Sequence, residues 1–307
     1  MSDTFFSAAP HWRWLIIFYF FVGGVAGGAY FLGAVLEWFG RPDDRPVIRT
    51  AYRVSFWGAV VSGLLLTLDL GRPLRFWHML FQSANLPHVM FKPWSPISFG
   101  AWALLLFGLC AALSALGARA DEGRVRAPAA QLLRGGTALA KLVAAVGGLL
   151  GFFVAGYTGV LLSVTNRPIW ADSPWLGALF LASGASTGAA LLVLLGPKRG
   201  AAESSLRWLS TFDARALVVE LLLLIVFVAS LGAVARVWVS VWGALLLVGV
   251  VGFGIVWPLV RHARPAAGRA GLNPAVAVLI GGFLLRVVML LASEGIELHR
   301  GVAGLVP

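Results

Sequence analysis

The chain has 307 residues, 59% of them hydrophobic and only 12% charged, with a mean hydropathy of +0.87. A soluble domain carries about 25% charged residues, so a water-soluble globular protein is excluded. The net charge of +11 then reads as membrane orientation rather than nucleic-acid binding.

A helix needs about 20 apolar residues to cross a bilayer. In chain order, residues 14–36, 54–70, 97–117, 142–165, 174–196, 216–235, 237–260 and 274–292 come near that length, the second being short and ending on Asp69. Continuous apolar runs in lipid imply helices rather than barrel strands. The first run is too long for a signal peptide and lacks a small-residue cleavage site. The expected fold is an all-α integral membrane protein whose eight transmembrane helices form two four-helix bundles. Residues 1–136 hold spans one to three and 137–165 span four. Residues 137–196 carry span four, an outer loop and span five, and 197–307 complete the second bundle within a single membrane domain.

The loops joining spans one and two, three and four, five and six, and seven and eight hold sixteen of the 24 Lys and Arg residues. Positive loops stay cytoplasmic, so both termini are expected outside. Glycines lie close together in span one (Gly23, Gly24, Gly27, Gly28) and span five (Gly184, Gly188). Small residues four apart let helix backbones approach. Eight tryptophans fall near the expected outer boundaries, an excess that suggests a docking surface for a partner protein.

Polar residues converge at one depth. Asp69 ends span two, with Arg72 just beyond; Tyr157 lies near the end of span four, with Asn166 after it; Arg286 sits inside span eight, and His11 precedes span one. On the expected orientation Asp69, Tyr157 and Arg286 share the outer third of the membrane, with His11 and Asn166 at its edge. Asp69 and Arg72 read equally as a helix-end pair, Tyr157 as an interfacial anchor and His11 as a headgroup-level residue. A charge near midspan costs roughly 2.5–3.5 kcal/mol even on a lenient scale, so Arg286 requires a buried partner. Asp69 is the expected counter-ion. Glu37 and Glu220 are expected near the cytoplasmic interface and, with Arg286, are the proton-path candidates.

No histidine lies deep in a span, and Cys110 is the lone cysteine. Neither haem nor an iron–sulfur cluster is therefore expected in this chain, and no metal site. There is no Gly-rich phosphate loop followed by Lys-Ser/Thr.

The Gly-rich first span, the segment Asp69-Leu70-Gly71-Arg72-Pro73, the Gly156-Tyr157-Thr158-Gly159 segment, Thr187-Gly188 and the run from Gly281 to Arg286 resemble the NrfD/PsrC family, the membrane subunits of polysulfide-reductase-type respiratory complexes. The resemblance implies two four-helix bundles, no haem, and a quinone site (menaquinone or ubiquinone) near the face where an iron–sulfur subunit docks. That subunit would connect to a molybdenum or tungsten catalytic subunit or to a multihaem cytochrome, in a prokaryotic inner membrane. Carried onto this sequence, the quinone contacts are Tyr157 and His11, with Asp69, Arg72 and Asn166 shaping the mouth. Two other readings stay open: a proton-translocating subunit without quinone chemistry, and a secondary transporter, which would place its polar residues at the midplane.

Overall fold

The computed structural model describes residues 12, 14–82, 88–263 and 273–303, of which 294–303 by backbone alone. His11 lies outside the described residues. The chain folds into α1 (Trp14–Phe39), α2 (Arg45–Asp69), α3 (Pro96–Asp121), α4 (Ala138–Ser163), α5 (Leu176–Leu195), α6 (Glu203–Ser230), α7 (Val241–His262) and α8 (Pro274–Ala303). Among the described residues the only extended pairing is the isolated bridge between Phe81 and Val89.

Local chemistry fixes where these helices begin. Ser95 caps α3 by accepting from the Ser98 amide (3.4 Å), and Thr137 caps α4 by accepting from Ala140 (3.1 Å). Ser240 accepts from Trp242 (3.2 Å) to cap α7, and the Asn273 side chain accepts from Ala275 (3.0 Å) to cap α8. Pro96 and Pro274 stand at first helical positions, where a missing N–H costs nothing. Inside lipid each uncapped amide would remain unsatisfied.

Seven of the eight helices are long and apolar enough to cross a membrane alone; α6 qualifies only together with the following turn Gly232–Val239, which bends from it by 111°. The expected sixth span, 216–235, is thus displaced. The helix starts at Glu203, and Gly232 at φ +54° breaks the chain direction just after it ends. Glu220 consequently lies well inside α6 rather than near its start.

Helices α1 to α4 pack in a ring, α1 on α2 and α4, and α3 on α2 and α4. In the second bundle α5 packs on α6 and α8, and α7 on α8. The bundles meet where α1 and α4 pack on α5. There the backbones nearly touch: a methyl on Gly28 would collide with the Gly184 carbonyl, and one on Gly188 with the Gly28 backbone. The glycines of spans one and five therefore face each other.

The helix ends sort into two faces. The terminal face carries the start of α1; the basic face carries the opposite ends. Loops on the basic face are tied down. Glu37 pairs with Arg45 (2.8 Å) and accepts from the Gly136 amide (2.7 Å); Asp44 accepts from Ser205 (2.5 Å), and Arg53 pairs with Glu122 (2.5 Å). On the terminal face the loop after α2 exposes Leu74, Phe76, Phe91 and Trp94, and the turn before α7 exposes Val239.

Candidate functional site

Two polar compartments lie on opposite sides of α1. The first is in the α1–α4 bundle, within about two turns of the terminal face. Tyr157 is buried there; its hydroxyl donates to the Pro96 carbonyl (2.5 Å) and its ring stacks on Phe153 (5.2 Å). The ring fills a notch that exists because residue 100 is glycine: a Cβ on Gly100 would overlap the tyrosine. From α1, Tyr19 lies close enough to interact electrostatically with Tyr157. From α2, Ser62 is fully buried and its hydroxyl has no hydrogen-bond partner. Tyr19 and Ser62 meet over Gly23, whose Cβ would stand 3.5 Å from the tyrosine ring and 3.6 Å from the serine oxygen.

Buried hydroxyls are nearly always paired, and an unpaired one costs about 1–3 kcal/mol. Ser62 is therefore an anomaly that a ligand oxygen or an ordered water resolves. An unpartnered hydroxyl beside Tyr19 is able to donate to the oxygen of a ligand or a water.

The other expected contacts sit apart from this compartment. Asp69, Arg72 and Asn166 are exposed on the terminal face, and Leu70, Gly71, Arg72 and Arg75 line an open surface hollow. Asp69 is not the counter-ion of Arg286, because α2 ends in solvent and the carboxylate that interacts with Arg286 is Glu220. Glu37 is held by Arg45 and the Gly136 amide in the loop tie of the basic face.

The second compartment lies in the α5–α8 bundle. Arg286 is fully buried and donates to the Ser183 hydroxyl (2.5 Å), the Gly282 carbonyl (2.8 Å) and the Phe180 carbonyl (3.3 Å), with its guanidinium over the Phe180 ring (5.0 Å). Glu220 is buried on α6 in the neighbourhood of Ser183 and Arg286. Farther toward the basic face, Ser186 donates to buried Asp213 (2.7 Å), and Asp213 faces His262 Nε2 at 3.7 Å.

Sequence reasoning misses Ser62, Tyr19 and Asp213. A lone serine in an apolar run carries no signal, and Asp213 reads as loop because α6 starts well ahead of its apolar run. Arg167 and Trp170, in the segment between α4 and α5, are both buried. The arginine lies over the indole (5.2 Å), which stacks on Trp12 (5.6 Å) and donates to the Met289 carbonyl (2.7 Å). That part of the tryptophan excess is core, not docking surface.

The family described as polysulphide reductase, NrfD, matches residues 4–296. The chain belongs to the NrfD family. It is 28% identical to the C subunit of polysulfide reductase from Wolinella succinogenes over 310 residues, covering 92% of this chain and 94% of that protein. It is 28% identical to protein NrfD of Escherichia coli over 301 residues, covering 91% and 92%, and 25% identical to an NrfD homolog of Haemophilus influenzae over 313 residues, covering 92% and 94%. The helices thus belong to a multi-pass membrane subunit of the NrfD type. Among the described residues no three His, Cys, Asp or Glu side chains converge as metal ligands.

Proposed function

We propose that this chain is the quinone-reactive membrane anchor of a multisubunit respiratory oxidoreductase, exchanging electrons with an iron–sulfur subunit that docks on the terminal face. Family membership supports the anchor role. The observation that supports quinone reactivity is the unpartnered Ser62 hydroxyl, buried beside Tyr19. A quinone, menaquinone or ubiquinone, brings two-electron, two-proton chemistry to such a site.

In this reading Ser62 donates to a ring oxygen. Tyr157, whose proton is engaged by Pro96, offers lone pairs to a quinol hydroxyl; His11, the other expected contact, lies outside the described residues. Asp69, Arg72 and Asn166 border the mouth on the surface. The tight packing of Gly100 on Tyr157 and of α1 on α4 excludes bulk water around the hydroxyls, which strengthens each hydrogen bond.

The exposed apolar residues of the loop after α2, Leu74 at 89% and Trp94 at 78% exposed, suit a protein partner rather than water. That partner carries the electrons to a molybdenum or tungsten subunit or to a multihaem cytochrome. Sixteen basic residues on the opposite loops put that face in the cytoplasm, with both termini outside and the chain in a prokaryotic inner membrane.

Purification of the native complex tests this directly. An iron–sulfur subunit and extractable quinone should accompany the chain. Stoichiometric recovery of the assembled chain with neither would refute the reading.

A further inference from the structure

Beside the glycine contacts of the seam, the two bundles leave a gap on the lipid side. A half-open cleft of about 230 Å³ lies among α1, α4, α5 and α6. Phe31 and Phe152 wall it from the first bundle, their rings 5.5 Å apart; Phe212, Val219 and Leu223 wall it from α6. Every residue that lines it is Gly, Ala, Val, Leu or Phe. Water finds no partner in such a cleft, and left empty it forfeits the dispersion contacts of its walls. An apolar occupant gains both. The length is that of one leaflet. From Phe212 to Leu223 α6 rises about 16 Å, against roughly 15 Å for half of a hydrocarbon core.

A charge stands near the end of the cleft that faces the basic side. Arg215 is exposed, at the edge of the α6 stripe that carries Phe212 and Val219, because residues three and four apart share a helix face. The exposed surface of α6 changes character at this point. Arg207, Trp208 and Thr211 precede it, whereas Val218, Val219 and Leu222, 46–57% exposed, follow it. Arg215 is thus the last exposed charge of α6 before the hydrocarbon.

Among the described residues no hydrogen bond or ion pair engages its guanidinium. Arg207 has Glu203 at 3.9 Å, and the nearest carboxylates along α6, Asp213 and Glu220, are buried. A charge at lipid depth is costly without a counter-ion, and the protein supplies none. Side chains lean toward the N-terminus of their helix, and α6 starts on the basic face, so Arg215 reaches toward the headgroups of that leaflet. Trp208 stacks on Phe212 (5.9 Å) and adds an aromatic ring of the kind found at membrane interfaces.

We propose that the seam cleft holds one acyl chain of an anionic phospholipid from the basic-face leaflet, with the lipid phosphate on Arg215. A guanidinium matches phosphate oxygens in charge and in geometry. A zwitterionic lipid would bring its own cation to the same arginine. A quinone would bring an apolar tail but no anion, leaving Arg215 unanswered. The chain touches α1 and α4 on one side and α5 and α6 on the other, so it fills the seam and ties the bundles together. This site is separate from the Ser62 compartment and stands independently of the quinone reading.

The test is lipid exchange on the full chain, stripped of lipid in mild detergent and then given phosphatidylglycerol, phosphatidylcholine or menaquinone. Native mass spectrometry should show one phosphatidylglycerol retained in preference to phosphatidylcholine. Thermal unfolding should move upward as the site fills, by mass action. Arg215→Gln, at an exposed position, should leave the fold intact and weaken retention of phosphatidylglycerol by about tenfold, the worth of one charge-assisted contact. Val219→Trp fills the cleft from its exposed wall and should abolish the thermal gain. Equal retention of the two phospholipids, a parent-like lipid response in either variant, or displacement of the bound phosphatidylglycerol by menaquinone would overturn the proposal.

Discussion

Gly24 and Arg286 meet across the seam between the two bundles: a Cβ on Gly24 would stand 3.1 Å from the Arg286 Nη2. The preceding residue, Gly23, faces Tyr19 and Ser62 in the first bundle. A single turn of α1, without side chains at these two positions, is all that separates the two polar compartments. Glycine is required here for closeness rather than for backbone freedom, since both residues are in regular helix.

Filling that wall should be destabilising. Gly24→Leu would push the guanidinium off Ser183 and the Phe180 carbonyl, and overpacking of this kind costs about 1–3 kcal/mol. Gly28→Ala collides with backbone that has no room to yield, so it should separate α1 from α5. Thermal unfolding in detergent should register both, and unchanged melting for Gly28→Ala would contradict the packing described.

Two carboxylate substitutions should differ sharply. Asp69 is exposed, so Asp69→Asn should alter stability by no more than about 0.5 kcal/mol. Glu220→Gln removes the buried carboxylate nearest in charge to buried Arg286, so it should cost clearly more than Asp69→Asn. Folded yield and thermal stability of the two variants measure the contrast. Equal losses would return Asp69 to the role of counter-ion.

The link between Glu122 and Arg53 predicts a pH dependence. The hydrogen bond and charge of Arg53 hold the Glu122 carboxyl below its ordinary value of 4.5. A carboxyl lowered in the folded state adds stability that is fully present above that value and is lost as pH falls through the folded one. Acid unfolding of Glu122→Gln should therefore lose part of the acid-side slope and begin from lower stability at neutral pH. Identical acid profiles for variant and parent would remove this link from the stability of the basic face.

The loop charge predicts an orientation. Cysteines introduced at Arg124 and Arg207 should resist an impermeant thiol reagent in intact cells and react once the membrane is opened. Labelling in intact cells would invert the two faces and place the tyrosine compartment on the cytoplasmic side.

The membrane class and most of the helices are legible in the sequence because apolar length is a one-dimensional signal. The demand of Arg286 for a buried partner is legible too, but not the partner. Choosing Glu220 over Asp69 requires knowing where α6 starts. The three charges Asp213, Arg215 and Glu220 dilute the apolar pattern of its first half, while the bend after Ser230 lies in a run that still reads as apolar. Tyr157 stands out through its motif. Ser62 does not, since its meaning is the absence of a partner, which only three-dimensional packing reveals.

A quinone site in the tyrosine–serine compartment is tested most directly by comparing two rates in the purified native complex: electron exchange with quinone, and electron exchange with an artificial acceptor or donor served by the partner subunit. Tyr157→Phe keeps the ring in its Gly100 notch and loses one hydrogen bond, worth about 0.5–1.5 kcal/mol; Ser62→Ala removes the unpartnered hydroxyl at no packing cost. Both variants should assemble and keep the artificial rate. The quinone-linked rate should fall by about tenfold or more, and by up to roughly 10²–10⁴ if the hydroxyl also moves a proton. Quinone-linked rates that match the parent in both variants would contradict a quinone site in this compartment.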